Sequence, residues 1–172
     1  MSIFDWIDTS NLSILGCGSF NICYTDGNYA IKIGNTRPSE IDTLLRIGEH
    51  GLAVKVIAYE YDLSIPDTFT KLLNPKVLRC YNTANPFVSN NDYGNYIRRS
   101  TGCASVLITQ LVKPCMRHDK RYSDTHVSNM YAKACALAER IRDLTGESLW
   151  LDVHPWNMGI DVQAKKLVVL DV

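Results

Sequence analysis

Several polar residues spread along the chain are of types that together can handle a phosphate group. They are Gly16 and Gly18, Lys32, Asp152 with Asn157 five positions later, and Asp171 at the end of an apolar run. Glycine has no side chain, so backbone N–H groups beside it can approach phosphate oxygens closely. Phosphoryl transfer relies on positioning and charge neutralisation, so it needs a phosphate cradle, a lysine, metal-binding oxygens and a residue that orients the nucleophile. The chain carries residue types for every one of these parts, which predicts a phosphoryl-transfer site.

Each of these residues also has an ordinary structural interpretation. A Gly-x-Gly segment in a hairpin is usually a turn or a bulge, and the segment from Asp152 to Asn157 fits a turn rich in Asp and Asn. Lys32 alone fits a solvated strand residue, and Glu40 an acid stabilised by the helix dipole in a first turn. The prediction therefore depends on the joint occurrence of these residues along one chain.

The strands that must position these residues are indicated by short apolar segments. Strands are predicted over residues 22–24, 29–33, 52–59, 104–112 and 167–170. The Asp26-Gly27 pair between the first two favours the positive φ angles of a tight hairpin turn. Residues 61–102 are dense in Asn, Asp, Pro, Ser and Thr and are predicted to form a long irregular insertion. Residues 149–158 are predicted to form a loop.

Two helices are predicted from caps and apolar spacing. The first begins at Pro38, where Ser39 and Asp42 resemble a capping box, and ends at Gly48. Its apolar face is predicted to contain Ile41, Leu44 and Leu45. The second begins near Ser123 or Asp124 and ends at Gly146. Its predicted core stripe consists of Val127, Met130, Tyr131, Ala134, Leu137, Ala138 and Ile141.

The composition narrows the class of protein. The chain has 172 residues, 18 basic and 18 acidic side chains and 46% apolar residues, which favours a folded protein of one domain or two small lobes. A formal net charge of +0 argues against direct nucleic-acid binding. We expect a cytoplasmic protein without a membrane segment, because the sequence contains neither a signal peptide nor a long apolar stretch. The six cysteines are expected to be free thiols.

The order of these elements resembles that of the protein-kinase-like fold. A glycine-rich hairpin is followed by a lysine on a strand, a helix that carries a glutamate, two more strands, a long helix, a polar loop and a strand that ends in aspartate. The resemblance implies an α+β fold in which residues 1–113 form an N-lobe with an antiparallel β-sheet, one helix and the insertion 61–102. Residues 114–172 would form a minimal, truncated helical C-lobe.

Two motifs are similar to those of the short serine/threonine kinase-like proteins of tailed bacteriophages. They are Leu15-Gly16-Cys17-Gly18-Ser19-Phe20 and Asp152-Val153-His154-Pro155-Trp156-Asn157. The resemblance implies binding of ATP and Mg²⁺, with catalytic roles for Asp152 and Lys32 and metal binding by Asn157 and Asp171. It assigns nucleotide contacts to Gly16, Gly18, Ser19, Phe20, Lys32, Glu40 and His154. Glu40 is the predicted partner that orients Lys32, and Glu49, which lies beyond the predicted helix end at Gly48, is the alternative.

The resemblance further implies a phage-encoded enzyme that phosphorylates host proteins in the host cytoplasm. Asn21 stands in place of the usual third glycine, Trp150 replaces a histidine, and Asp171-Val172 replaces the start of Asp-Phe-Gly. Measured against the resemblance, we expect a minimal or truncated form, because the sequence reaches only Val172 and the segments that normally bind a peptide substrate would follow it. Two alternatives therefore stay open: a pseudokinase-like protein that binds and inhibits a host factor, and a small-molecule kinase. The sequence does not indicate an oligomeric state.

Overall fold

The computed structural model describes residues 2–17, 21–72, 104–117, 120–146 and 153–171. In this part of the chain the protein is α+β, with antiparallel sheets and few helices, as the sequence predicts. It divides into two compact units, Met1–Arg37 with Ile57–Leu111, and Pro38–Val56 with Val112–Val172. The kinase-like lobes, residues 1–113 and 114–172, remain a prediction.

A five-stranded sheet organises the first unit. Its strands are β1 (Ser13–Cys17), β2 (Asn21–Thr25), β3 (Tyr29–Gly34), β4 (Val56–Leu63) and β5 (Ala104–Gln110). Their order in the sheet is β1-β2-β3-β5-β4, so β3 lies at the centre and pairs antiparallel with both β2 and β5. The predicted hairpin and the predicted strand near residue 104 are therefore confirmed, each with bounds shifted by one or two residues.

One face of this sheet forms the core of the first unit. Alternate residues of the three central strands lie on it, because successive side chains of a strand point to opposite faces. Phe69, from the short helix α2 (Asp67–Thr70), packs edge-to-face on Tyr24 with ring centroids 5.2 Å apart. The Tyr24 hydroxyl donates a hydrogen bond to the Phe69 carbonyl at 3.2 Å. Burial raises the pKa of Tyr24, so this donor keeps its proton.

The turn between β2 and β3 is held by a carboxylate. The predicted positive φ occurs at Gly27 (93°) but not at Asp26. Asp26, only 1% exposed, instead accepts backbone hydrogen bonds from Asn28 and Tyr29 at 2.9 Å and from Asp8 at 3.2 Å. Burial by itself would raise the pKa of this carboxyl, but the N–H donors outweigh burial and hold the pKa below its ordinary value. The charged form of Asp26 is thus part of the folded state.

The lowered pKa predicts acid sensitivity. At pH values between the folded and the unfolded pKa of Asp26, the unfolded chain binds one more proton than the folded protein. The stabilisation that the Asp26 carboxylate gives the fold is therefore complete above about pH 4, and it is lost as pH falls through the lower, folded pKa. We expect Asp26→Ala to lower the free energy of unfolding by about 2–3 kcal/mol at pH 7. Urea unfolding between pH 7 and 2 measures both effects. Asp26→Asn should lose stability less steeply below pH 4, and an acid slope equal to that of the wild type would contradict the role of Asp26.

The strand predicted over residues 52–59 is wrong in its bounds. Only Val56 onward joins β4, which continues to Leu63. Leu52 and Val54 instead pair with Val169 in the second unit. The Val54 N–H donates to the Val169 carbonyl at 2.9 Å, and the Val169 N–H donates to the Leu52 carbonyl at 2.8 Å. One apolar run thus serves two sheets. Most of the predicted insertion, residues 73–102, lies outside the described residues.

The second unit combines two helices with a small sheet. Its elements are α1 (Pro38–Glu49), β6 (Lys113–Pro114), α3 (Asp124–Thr145), β7 (Met158–Asp161) and β8 (Lys166–Val169). The strands lie in the order β6-β7-β8, with antiparallel pairing, and α1 packs against α3.

Helix α1 differs from the prediction in three respects. Gly48 lies inside it, and the left-handed residue beyond its end is Gly51, with φ 65°. Ser39 is the second helical residue, so it does not cap the helix. Ile47 rather than Leu45 completes the buried face with Ile41 and Leu44, and Leu45 is exposed. A glycine near the end of an apolar pattern does not by itself end a helix, because a left-handed residue further on can satisfy the last carbonyls.

Helix α3 confirms its predicted ends and most of its predicted stripe. The Ser123 hydroxyl accepts a hydrogen bond from the His126 N–H, and Gly146, with φ 76°, donates to the Arg142 carbonyl at 2.8 Å. The buried residues are Met130, Ala134, Leu137, Ala138 and Ile141, whereas Val127 is half-buried and Tyr131 is exposed.

No helix in the described ranges is long and apolar enough to span a membrane. Cys23, Cys115 and Cys135 form no disulfide bond.

Two glycine-to-alanine substitutions should change stability in opposite directions. Gly146→Ala is expected to lower the free energy of unfolding by about 1 kcal/mol, because only glycine adopts a left-handed conformation without cost. Gly48→Ala should raise it by up to ~1 kcal/mol, since a Cβ there meets nothing within 4 Å and alanine favours the helix. Chemical unfolding compares the two, and the same sign for both would contradict this assignment of caps.

Candidate functional site

The hairpin of β7 and β8 brings two predicted metal ligands to one end. Met158 pairs with Val169, and the Leu170 N–H donates to the Asn157 carbonyl at 2.8 Å. Asn157 directly precedes β7, and Asp171 follows Leu170. The amide and carboxylate residues, 14 positions apart in sequence, therefore flank the same end of the hairpin.

Strand β7 was missed by sequence reasoning, which placed a loop up to Met158. Its partner β8 confirms the strand predicted over residues 167–170, with bounds shifted by one residue. The available signal for the hairpin was Asp161, whose carboxylate accepts hydrogen bonds from the N–H groups of Gln163 and Ala164 at 3.0 Å and so starts the turn into β8.

A turn of 3-10 helix, Pro155–Asn157, presents Asn157 at this end. Proline at its first position suits a helical start, and the Asn157 N–H donates to the His154 carbonyl at 2.9 Å. His154 and Asn157 of the predicted motif are thus held within one hydrogen-bonded turn. Asp152, the predicted catalytic carboxylate, lies outside the described residues.

Aromatic packing connects the turn Pro155–Asn157 to helix α3. Trp156 meets Tyr131 of α3 edge-to-face, with ring centroids 6.1 Å apart, and its ring lies 6.3 Å from the His154 ring. Trp156 thus packs against rings on both sides. Sequence reasoning placed Tyr131 in the core stripe, whereas the structure leaves it 46% exposed and in contact with the residue next to Asn157. The helical period alone could not distinguish these two roles.

Gly159 is a second residue that sequence reasoning missed. A Cβ on Gly159 would lie 2.6 Å from a Val112 methyl carbon and 2.8 Å from a Leu170 methyl carbon. Glycine therefore lets β7 fit between β6 and the residue after β8. On the β6 side the Cys115 N–H donates to the Met158 carbonyl at 2.8 Å, which extends the pairing to the residue next to Asn157.

Lys32 lies on the central strand of the first unit, on the face opposite to the core. Ile31 and Ile33 point into the core, so Lys32 points away from it, in register with Cys23 on β2 and Leu107 on β5. Its side chain is buried, at 8% exposure. A lysine rarely takes such a position without oxygen atoms to compensate its charge. Strand pairing and burial thus restrict the position of the Lys32 side chain, and a lysine that binds phosphate needs such a restricted position.

The glycine-rich segment is described in part. Gly16 lies in β1 at an irregularity of the pairing with β2, and a Cβ there would meet nothing within 4 Å. Gly18, Ser19 and Phe20 lie outside the described residues. Asn21, the first residue after them, accepts a hydrogen bond from the Thr36 hydroxyl at 3.3 Å. This contact ties the start of β2 to the chain just after β3.

Glu40, the predicted partner of Lys32, occupies the first turn of α1 and is half-buried. It belongs to the second unit and Lys32 to the first, and their ion pair remains a prediction. Glu49, the alternative partner, is the last residue of α1 rather than a residue beyond it, and it is exposed.

The chemistry of Asn157 and Asp171 fits a magnesium ion. Mg²⁺ takes oxygen ligands, usually one or two from protein, and fills its other positions with water and substrate phosphates. One amide oxygen and one carboxylate at one end of a hairpin match that requirement. Among the described residues, no group of three or more His, Cys, Asp or Glu is placed to hold a metal ion.

Comparisons with protein-family models, with curated proteins and with solved structures find no match to this chain.

The Tyr131–Trp156 contact predicts a specific effect on the Asn157 turn. Tyr131→Ala should lower the free energy of unfolding by about 1 kcal/mol and increase quenching of tryptophan fluorescence by acrylamide, because the edge-to-face contact is lost. Tyr131→Phe keeps the ring and should retain both properties. Leu144→Ala, at a residue of α3 that is 49% exposed, is the matched control and should leave the quenching unchanged. Equal quenching in Tyr131→Ala and Leu144→Ala would contradict a supporting role for Tyr131.

Proposed function

We propose that the protein is an ATP- and Mg²⁺-dependent phosphotransferase of the protein-kinase-like fold that acts on hydroxyl groups of proteins. The observation that supports this most is the placement of Asn157 and Asp171 at one end of the β7–β8 hairpin. Phosphoryl transfer needs such a pair of oxygen ligands next to the residue that orients the nucleophile. Asp152, five residues before Asn157, is the residue to which we give that role.

The remaining parts of the site have complementary roles in this proposal. The buried ammonium of Lys32 binds the α- and β-phosphates of ATP, and backbone N–H groups of the segment from Gly16 to Phe20 surround the phosphates. Glu40 orients Lys32, and His154 contacts the γ-phosphate. Asn157 and Asp171 would hold Mg²⁺, which would supply neutralisation of the phosphate charge.

The reaction follows from these positions. The hydroxyl oxygen of a serine or threonine forms a bond to the γ-phosphorus while the bond from that phosphorus to the β–γ bridging oxygen breaks, which releases ADP. The carboxylate of Asp152 accepts the hydroxyl proton. From the resemblance, the acceptor would be a protein of a host cell.

Phosphate transfer from γ-labelled ATP tests the proposal. Asp152→Ala, Lys32→Met and Asp171→Asn should each reduce transfer by at least about a hundredfold, because each removes charge stabilisation or orientation in the transition state. Asp143→Asn, an exposed carboxylate on α3, is the matched control and should keep the wild-type rate. Thermal unfolding of every variant confirms that it is folded.

Binding of Mn²⁺ together with ATP, followed by the EPR signal of the metal, separates binding from transfer. Wild-type protein should bind both Mn²⁺ and ATP. Asp171→Asn should weaken the binding of Mn²⁺ without unfolding the chain. Binding without transfer to any protein of a bacterial lysate would favour the pseudokinase-like alternative. Neither binding nor transfer in a folded protein would overturn the proposal.

A further inference from the structure

A cluster of positive charge lies in the second unit, in a chain whose net charge is zero. Residues 113–122 contain four basic side chains and one acidic side chain, Asp119. All four basic residues lie in the described part of this segment and are exposed: Lys113, Arg117, Lys120 and Arg121. We name the last three, Arg117, Lys120 and Arg121, the basic turn.

Hydrogen bonds link the described residues of the basic turn on either side of positions 118 and 119. The Lys120 N–H donates to the Arg117 carbonyl at 3.2 Å, and the Arg117 N–H donates to the Tyr122 hydroxyl at 3.0 Å. The Tyr122 ring stacks on His126, in the first turn of α3, with centroids 5.0 Å apart. The backbone of Arg117 and Lys120 is therefore connected, through Tyr122, to the first turn of α3.

Strand pairing places the basic turn beside the candidate site. Pro114 pairs with Gly159, and the Cys115 N–H donates to the Met158 carbonyl. Strand β6 ends at Pro114, Cys115 bonds to the residue next to Asn157, and Arg117 is two positions further along, so it lies at most about 7 Å from Cys115. The basic turn thus begins on the β6 side of Asn157, and Asp171 lies on the β8 side.

We propose that the basic turn binds the phosphoacceptor and selects serine or threonine residues flanked by aspartate or glutamate. This inference rests on the proposed function, because it names the acceptor class of the same site. A concentration of like charge beside a reaction centre attracts segments of opposite charge and raises their rate of association.

The same observations favour an acidic protein segment over a nucleic acid. Nucleic-acid binding needs a basic surface that follows many phosphates, usually with exposed aromatic rings. Here the cluster is short, the net charge of the chain is zero, and the Tyr122 ring is already stacked on His126. A few acidic residues around one hydroxyl match this short cluster better.

Direct binding tests the inference without requiring catalysis. The probe is a fluorescein-labelled peptide with one serine between two runs of four glutamates, measured by fluorescence anisotropy at low and high salt. The double variant Lys120→Glu with Arg121→Glu should weaken binding about tenfold or more at low salt, and wild-type binding should fall as salt rises. The corresponding glutamine peptide should bind weakly to both proteins.

The matched control is the double variant Arg140→Glu with Lys165→Glu. It has the same change in charge, but Arg140 lies sixteen residues along α3 from Asp124, about 24 Å away, and Lys165 lies in the turn at the far end of the β7–β8 hairpin. It should bind the glutamate peptide as the wild type does. Equal weakening in both double variants, or wild-type preference for the glutamine peptide, would overturn the inference.

Kinetics and a nucleic-acid probe complete the test. With γ-labelled ATP, the basic-turn variant should raise KM for the glutamate peptide about tenfold while KM for ATP and kcat stay unchanged. Transfer that shows no preference for the glutamate peptide overturns this inference and leaves the proposed function standing. If neither transfer nor Mn²⁺–ATP binding is found, the proposed function is wrong. The fluorescence anisotropy of the glutamate peptide then still decides whether the basic turn binds acidic segments. Tighter binding of oligo(dT) than of the peptide would overturn the choice of ligand.

Discussion

The position of Asp171 depends on how Val169, two residues earlier, is held on both of its sides. On one side Val169 pairs with Met158, and on the other its N–H and carbonyl bond to Leu52 and Val54. Because Val169 is hydrogen-bonded on both sides, β8 cannot slip by a residue without breaking both sets of bonds and turning its buried side chains outward. Two segments far apart in sequence therefore determine where the carboxylate lies.

This constraint links helix α1 to the candidate metal site within the second unit. The left-handed Gly51 turns the chain after α1 so that Leu52 to Val54 run alongside β8. On the other side of the hairpin, the small size of Gly159 lets β6 come close. The resulting small sheet has an oxygen-rich end at Asn157 and Asp171, and the basic turn begins at the β6 edge of that end.

Local pattern was sufficient where an element carries a regular period and clear ends. Helix α3 has both, in its apolar stripe and in Ser123 and Gly146, and the β2–β3 hairpin has alternating apolar residues around Asp26-Gly27. Strand β7 has neither a regular period nor clear ends. It contains only four residues, one of them glycine, and these are too few to show alternation. Pattern also failed for Tyr131, since an apolar position on a helix can face the core or a neighbouring loop with the same spacing.

The sequence by itself determined which side chains are available for phosphate and metal chemistry, and where the longest helix begins and ends. These properties depend on residue type and on neighbours within a few positions. Only the tertiary structure decided that Asn157 and Asp171 share one end of a hairpin, that the apolar run after α1 is divided between two sheets, and that Tyr131 supports Trp156. Strand partners are chosen by hydrogen bonding and packing between distant segments, and no local pattern of residues specifies them.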